Sequence, residues 1–147
     1  MENTEMNPKQ RLSQIRRLRI LIDQRERELE SLRAARFGCV NGVDYGRIPV
    51  KGSRRVGGSF EQASIKALDL EGEIAGLIEQ YNELRHTIIG QIQQLDKLEH
   101  MQILYKRYVE EKRWEQIAEE MGYDSVYIRS LHGKALFAFG LLISAGR

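Results

Sequence analysis

The chain has 147 residues, 41% of them hydrophobic and 30% charged, with a formal net charge of +2. That is the composition of one ordinary globular domain or two small units, and its bulk charge does not mark a nucleic-acid binder. The single cysteine, Cys39, excludes an internal disulfide and points to a reducing compartment. The densely charged first 30 residues and the lack of any apolar run of about 18 residues predict neither a leader nor a membrane span. Rare β-branched runs and only two prolines favour an all-α protein.

The first element begins at Asn7-Pro8-Lys9-Gln10. Asn7 is placed to cap, Pro8 suits the first helical position, and Gln10 sits where a capping box needs it. Ile15, Leu18, Ile22, Leu29 and Leu32 then recur at spacings of three, four and seven, with Arg25 in a slot of the same stripe. This predicts an amphipathic helix whose narrow apolar stripe meets one partner helix, as in a coiled coil. Glu26, Glu28 and Glu30 alternate with Arg25, Arg27 and Arg33 as a salt-bridged surface.

Residues 37–59 interrupt the pattern. Gly38, Gly42, Gly46, Gly52, Gly57 and Gly58 predict a loop, and Arg47, Lys51, Arg54 and Arg55 make it basic. A disordered linker is the favoured reading, and a basic arm laid along DNA or RNA is the alternative. Order resumes at Ser59, a capping residue with Gln62 three positions on. Ile74, Leu77, Tyr81, Leu84, Ile88, Leu95 and Leu98 follow a heptad pattern, with Gln91 at its polar position. The expected N-terminal domain, 7–95, is therefore a long-helix antiparallel hairpin, coiled-coil-like, with a Gly-rich basic loop at 37–59. A second copy of the chain is the other candidate partner for these helices.

Asp96 and Glu99 read as a new capping box, opening a C-terminal domain over 96–147. Leu98, Met101, Leu104, Tyr105 and Tyr108 give its first helix an apolar side. Three helices are expected, at roughly 97–110, 113–121 and 125–140. The last two fit a helix-turn-helix. Counted from Trp114, Ile117, Met121, Tyr123, Ile128 and Leu131 fall at the positions that fill the small core between the two helices. Ala118 falls where the helices cross and only a small side chain fits. Gly122 falls where the turn needs a left-handed backbone. Ser125 is read as the cap of the second helix.

Beyond Ser125 the chain carries Arg129, Lys134 and Arg147 and no acid. If Ile128, Leu131 and Ala135 face the core, Val126, Tyr127, Arg129, Ser130, Gly133 and Lys134 face outward. Together with Ser125 they are the candidate DNA-contacting set. Arg129 can fork onto guanine and Ser130 can bond a base or a phosphate. Lys112, Arg113 and Lys134 are candidate phosphate contacts. Phe137, Phe139, Leu141, Leu142 and Ile143 form an apolar tail that either closes the small core or contacts a partner.

The stretch LYKRYVEEKRWEQIAEEMGYDSVYIRSLHGKALFAF resembles region 4 of bacterial sigma factors. The resemblance rests on Arg107, Tyr108, Trp114, Glu115, Ile117, Ala118, Met121, Gly122, Arg129, Leu131, Lys134, Ala135 and Leu136 and covers roughly residues 98–139. The whole layout is similar to phage and prophage regulators of the ArpU/RinA type. It implies a sequence-specific transcriptional regulator of phage late genes in the cytoplasm of a Gram-positive host. Its partners would be double-stranded DNA and RNA polymerase, with homo-oligomerisation through the long helices or the apolar tail. Two other readings stay open: a DNA-packaging protein like a phage terminase small subunit, and a coiled-coil interaction protein that binds no DNA.

Nothing points to an enzyme. His86, His100 and His132 are dispersed and make no zinc spacing with Cys39, no nucleophile-base pair stands out, and GRIPVKGSRRVGG does not match a phosphate-binding loop. Neither a metal nor a cofactor is expected.

Overall fold

The computed structural model describes the backbone of residues 7–41 and 52–146 and the side chains of 7–35 and 60–146. It is all-α. The described elements are α1 (Pro8–Asn41), α2 (Gly52–Ile92), α3 (Leu98–Leu104), a π-helical turn (Tyr105–Val109), α4 (Trp114–Met121) and α5 (Ser125–Ala145).

The capping box at the start of α1 forms as its residues predict. The Asn7 side chain accepts from the backbone N–H of Lys9 at 2.9 Å, and Gln10 reaches back to the N–H of Asn7 at 3.3 Å. The glycine-rich segment differs from expectation. Both long helices run into it, α1 as far as Asn41 and α2 from Gly52, so Ser59 lies within α2 and does not start it. Glycine lowers helix propensity but keeps its N–H, so unlike proline it leaves the hydrogen-bond ladder intact. Residues 42–51, the rest of the predicted loop, lie outside the described residues, as do the side chains of Cys39, Arg54 and Arg55.

The chain divides into two compact units, and the division is not at Asp96. One unit is Ile20–Gln80; the other joins the chain up to Arg19 with Tyr81 onward. In the Ile20–Gln80 unit α1 and α2 pair antiparallel. Leu29 packs with Ala67, Leu70 and Ile74, and Arg33 meets Glu71 at 2.6 Å. Arg25 sits in the seam. Its guanidinium reaches Glu28 at 3.3 Å and Glu73 at 3.8 Å, but its Nε is buried with no hydrogen-bond partner.

In the larger unit the first turns of α1 and the last turns of α2 share one core with the C-terminal helices. This is the reason for the displaced boundary. Leu12 and Ile15 of α1, Ile88 and Ile92 of α2, and Ile103 and Leu104 of α3 are fully buried together with Ile117, Ile128, Ala135 and Phe139. Phe139 is the largest of the fully buried side chains. Emptying such a site costs about 3–5 kcal/mol. Some apolar residues of this unit lie outside the core. Leu98 opens α3 on its solvent side, 63% exposed, and Phe137 and Leu141 of the tail are exposed while Phe139 is buried.

The expected helix 97–110 runs unbroken from Leu98 to Val109, but its second half is π-helical. Its cap is Lys97, with no side-chain bond, and neither Asp96 nor Glu99 caps it. Glu99 instead accepts a hydrogen bond from the hydroxyl of Tyr123. From Tyr105 the ladder widens to i→i+5, with the Glu110 N–H donating to the Tyr105 carbonyl at 3.0 Å. Glu111 then turns left-handed at φ 56°, a conformation that costs a non-glycine residue about 1–2 kcal/mol. Its carboxylate is gripped on both oxygens by the Arg19 guanidinium at 2.7 and 2.6 Å, which holds the turn in place.

By length and composition alone, Ser125–Ala145 passes as long and apolar enough to cross a membrane, a test that the core helix of a globular protein also passes. The apolar stretch Phe137–Ile143 alone is too short, but the small residues before it, Gly133 and Ala135 among them, extend the apolar character along the helix. One face of α5, carrying Ile128, Leu131, Ala135 and Phe139, is buried in the core.

Candidate nucleic-acid interface

The turn between α4 and α5 is built from backbone geometry. Gly122 ends α4 at φ 76°, ψ 30°. The Tyr123 N–H returns to the Ala118 carbonyl at 3.0 Å and the Gly122 N–H to the Glu119 carbonyl at 3.3 Å. This is the Schellman pattern, which satisfies carbonyls at the helix end and needs a left-handed residue where Gly122 stands. The predicted inter-helix residues behave accordingly. Ile117, Ala118, Ile128 and Leu131 are buried, and Trp114, Met121 and Tyr123 pack at the edge of the same core.

The cap of α5 is Asp124, with Ser125 the first helical residue. The Asp124 carboxylate accepts from the Tyr127 N–H at 2.8 Å. An aspartate at this position also meets the helix dipole favourably. Asp124 is thereby occupied at the helix start. The Tyr123 and Tyr127 rings pack across the turn with centroids 4.4 Å apart and planes tilted by 55°.

Every predicted outward residue of α5 is exposed: Ser125, Val126, Tyr127, Arg129, Ser130, Gly133 and Lys134. Val126 is 76% exposed and Tyr127, half covered by Tyr123, is 41% exposed. No carboxylate pairs with Arg129 or Lys134 among the described residues, and α5 itself carries none.

The candidate phosphate contacts before α4 separate. Arg113 is exposed and has no ion pair among the described residues. Lys112 is committed elsewhere: its ammonium bonds both oxygens of Glu120 at 2.8 Å and lies 3.3 Å from Glu110. Lys106 joins the same carboxylate at 2.7 Å. The two lysines hold the Glu120 carboxyl below its ordinary range, and Glu120 and Glu110 raise the Lys112 ammonium. Lys112 is therefore a surface brace between the π-turn and α4 and not a free phosphate contact.

Behind this surface lies an aromatic cluster whose function the sequence did not suggest. The Tyr108 hydroxyl and His132 Nε2 are 2.8 Å apart, and the Trp114 ring meets His132 edge-on at 4.6 Å. The Arg107 guanidinium lies 4.4 Å from the centre of the Trp114 ring and bonds the Lys112 carbonyl at 2.9 Å. Burial, with Lys9 and Arg107 adding to it, pushes His132 down to about 4. It is neutral at physiological pH, and the cluster locks α5 against the start of α4. Among the described residues no three His, Cys, Asp or Glu side chains converge as a metal site.

No protein-family model matches the chain, and no curated protein or solved structure is significantly similar to it.

Proposed function

We propose that the protein is a sequence-specific DNA-binding transcriptional regulator. In this reading α4 and α5 act as a helix-turn-helix, and the exposed face of α5 enters a major groove. The observation that carries it is the α5 face itself: Val126, Arg129, Ser130 and Lys134 exposed on one rigid helix, with both cations free of carboxylates among the described residues. The support is physical. Elsewhere Lys106, Lys112, Arg19 and Arg33 are neutralised by carboxylates, so cations left unpaired on an acid-free helix are available to nucleic acid. Arg129 and Ser130 are assigned to base edges, and Lys134 and Arg113 to phosphates.

The similarity to sigma region 4 and to regulators of the ArpU/RinA type extends this to activation of phage late genes in a bacterial cytoplasm, with RNA polymerase as a protein partner. The exposed Phe137 and Leu141 are the footing for that contact, and the exposed Ile65 and Leu68 on α2 are the footing for a second copy. The test is duplex DNA binding by the full chain as salt is varied. The wild type should lose affinity steeply, and Lys134→Ala should lower the slope of log K against log salt by about 0.9, one phosphate contact. Absence of binding at low salt would contradict the proposal. A large closed ring in solution would favour the packaging alternative.

A further inference from the structure

A cleft of about 460 Å³ lies beside the start of α4, inside the larger unit. That is within the usual range for small-ligand sites, about 300–1,000 Å³. Four cations line it: Lys9 and Arg16 from α1, Arg107 from the π-turn and Arg113 before α4. The single lining carboxylate, Glu111, is already held on both oxygens by Arg19, and lies 3.9 Å from Arg16. Arg107 is fixed over Trp114, which forms part of the wall. Glu110 and Glu115, both exposed, are the other acids nearby in sequence and neither lines the cleft. Four like charges around one concavity repel each other, and a bound anion relieves that repulsion.

We propose that this cleft binds a phosphate group. The phosphate has two available sources, a backbone phosphodiester of duplex DNA or the phosphate ester of a free nucleotide. Only the first rests on the proposed function. In either case α1 supplies half of the cations, so the N-terminal helix belongs to a binding surface as well as to the hairpin.

Trp114 is the sole tryptophan of the chain, so its fluorescence reports on the cleft directly. The full-length protein is titrated with inorganic phosphate and with AMP at constant ionic strength, chloride serving as the reference anion. Occupancy predicts a saturable change in emission that chloride does not produce, weakened at least tenfold in Lys9→Ala/Arg16→Ala. Both side chains are exposed, and an unchanged melting curve verifies the fold; Arg16→Gln is the milder second variant. In a parallel arm, salt-dependent DNA binding is compared between wild type and double variant. If the source is the DNA backbone, the salt slope falls by about 0.9, the one phosphate held in the cleft. A response to free phosphate alone assigns a nucleotide, and a changed slope alone assigns the DNA backbone; either supports the site. No saturable phosphate response together with an unchanged slope overturns it. If the wild type binds no DNA, the regulator reading fails, and the fluorescence titration alone decides the cleft.

Discussion

Substituting Gly122 isolates the backbone conformation on which the orientation of α5 depends. A Cβ built on Gly122 meets no atom within 4 Å, so steric crowding contributes nothing. The cost comes from φ at +76°, which an L-residue adopts at about 1–2 kcal/mol. If the chain escapes that strain by moving, it weakens the returns from Tyr123 to Ala118 and from Gly122 to Glu119. Gly122→Ala should therefore destabilise by about 1–2 kcal/mol, and Gly122→Val by more, because a β-branched side chain tolerates this region least. For a chain of this size that is a fall in melting temperature of roughly 3–8 °C, read by circular dichroism of the full chain. Gly122→Asn should recover most of the loss, since asparagine visits the left-handed region. Gly76, exposed within α2 and equally free of neighbours, is the control: Gly76→Ala should stabilise by about 0.5–1 kcal/mol. If Gly122→Ala also raised the melting temperature, the left-handed turn would not be the conformation in solution and the argument for the aim of α5 would fail.

Other perturbations test separate contacts. Asp124→Ala removes the cap of α5 and should cost about 1 kcal/mol, whereas Ser125→Ala should cost far less; equal losses would return the cap to Ser125. Arg25→Leu fills a seam position and removes a buried, unpartnered Nε, so denaturant melts should show a gain of about 1 kcal/mol, and a loss would mean the ion pairs to Glu28 and Glu73 dominate. His132, at about 4 in the fold against 6.5 unfolded, resists protonation in the native state. Its contribution to stability is present above pH 6.5 and is lost as pH falls from 6.5 towards 4. His100, also lowered by burial, adds in the same direction. His132→Gln should flatten much of that acid limb in pH-dependent melts, and an unchanged limb would refute the assignment.

Much of the fold was legible because it depends on periodicity. Ile15, Ile22, Leu29, Ile74 and Ile88 fall on helical spacings, and all are buried. Ala67 was missed because a small apolar residue barely marks a stripe, and Leu12 because it sits one turn before the stripe is established. Capping arguments located the helix starts near residues 8, 98 and 125; Asn7 caps the first as expected, but Lys97 and Asp124 stand where Asp96 and Ser125 were expected. Asp124 and Ser125 are both good caps by residue type, and the backbone decides between them: Asp124 is extended at ψ 168° while Ser125 is already helical. The unit boundary was not legible. Local capping at Asp96 says where a helix starts, not that Leu12 and Ile92 share a core with Ile117 and Phe139. The outward face of α5 was legible because a single helix carries it. The arrangement was not legible where distant segments converge, as when Lys106 and Lys112 close on Glu120 or when Lys9 and Arg16 come to line the same cleft as Arg107 and Arg113.

Selection of binding sites from a random duplex pool, by wild type and by Arg129→Ala, tests whether the α5 face reads base sequence. The wild type should yield an enriched sequence motif. In Arg129→Ala the motif should survive but relax at one base pair, by about 1–3 kcal/mol. No enrichment by the wild type, or an identical motif and discrimination in the variant, would contradict the assignment of the α5 face to base recognition.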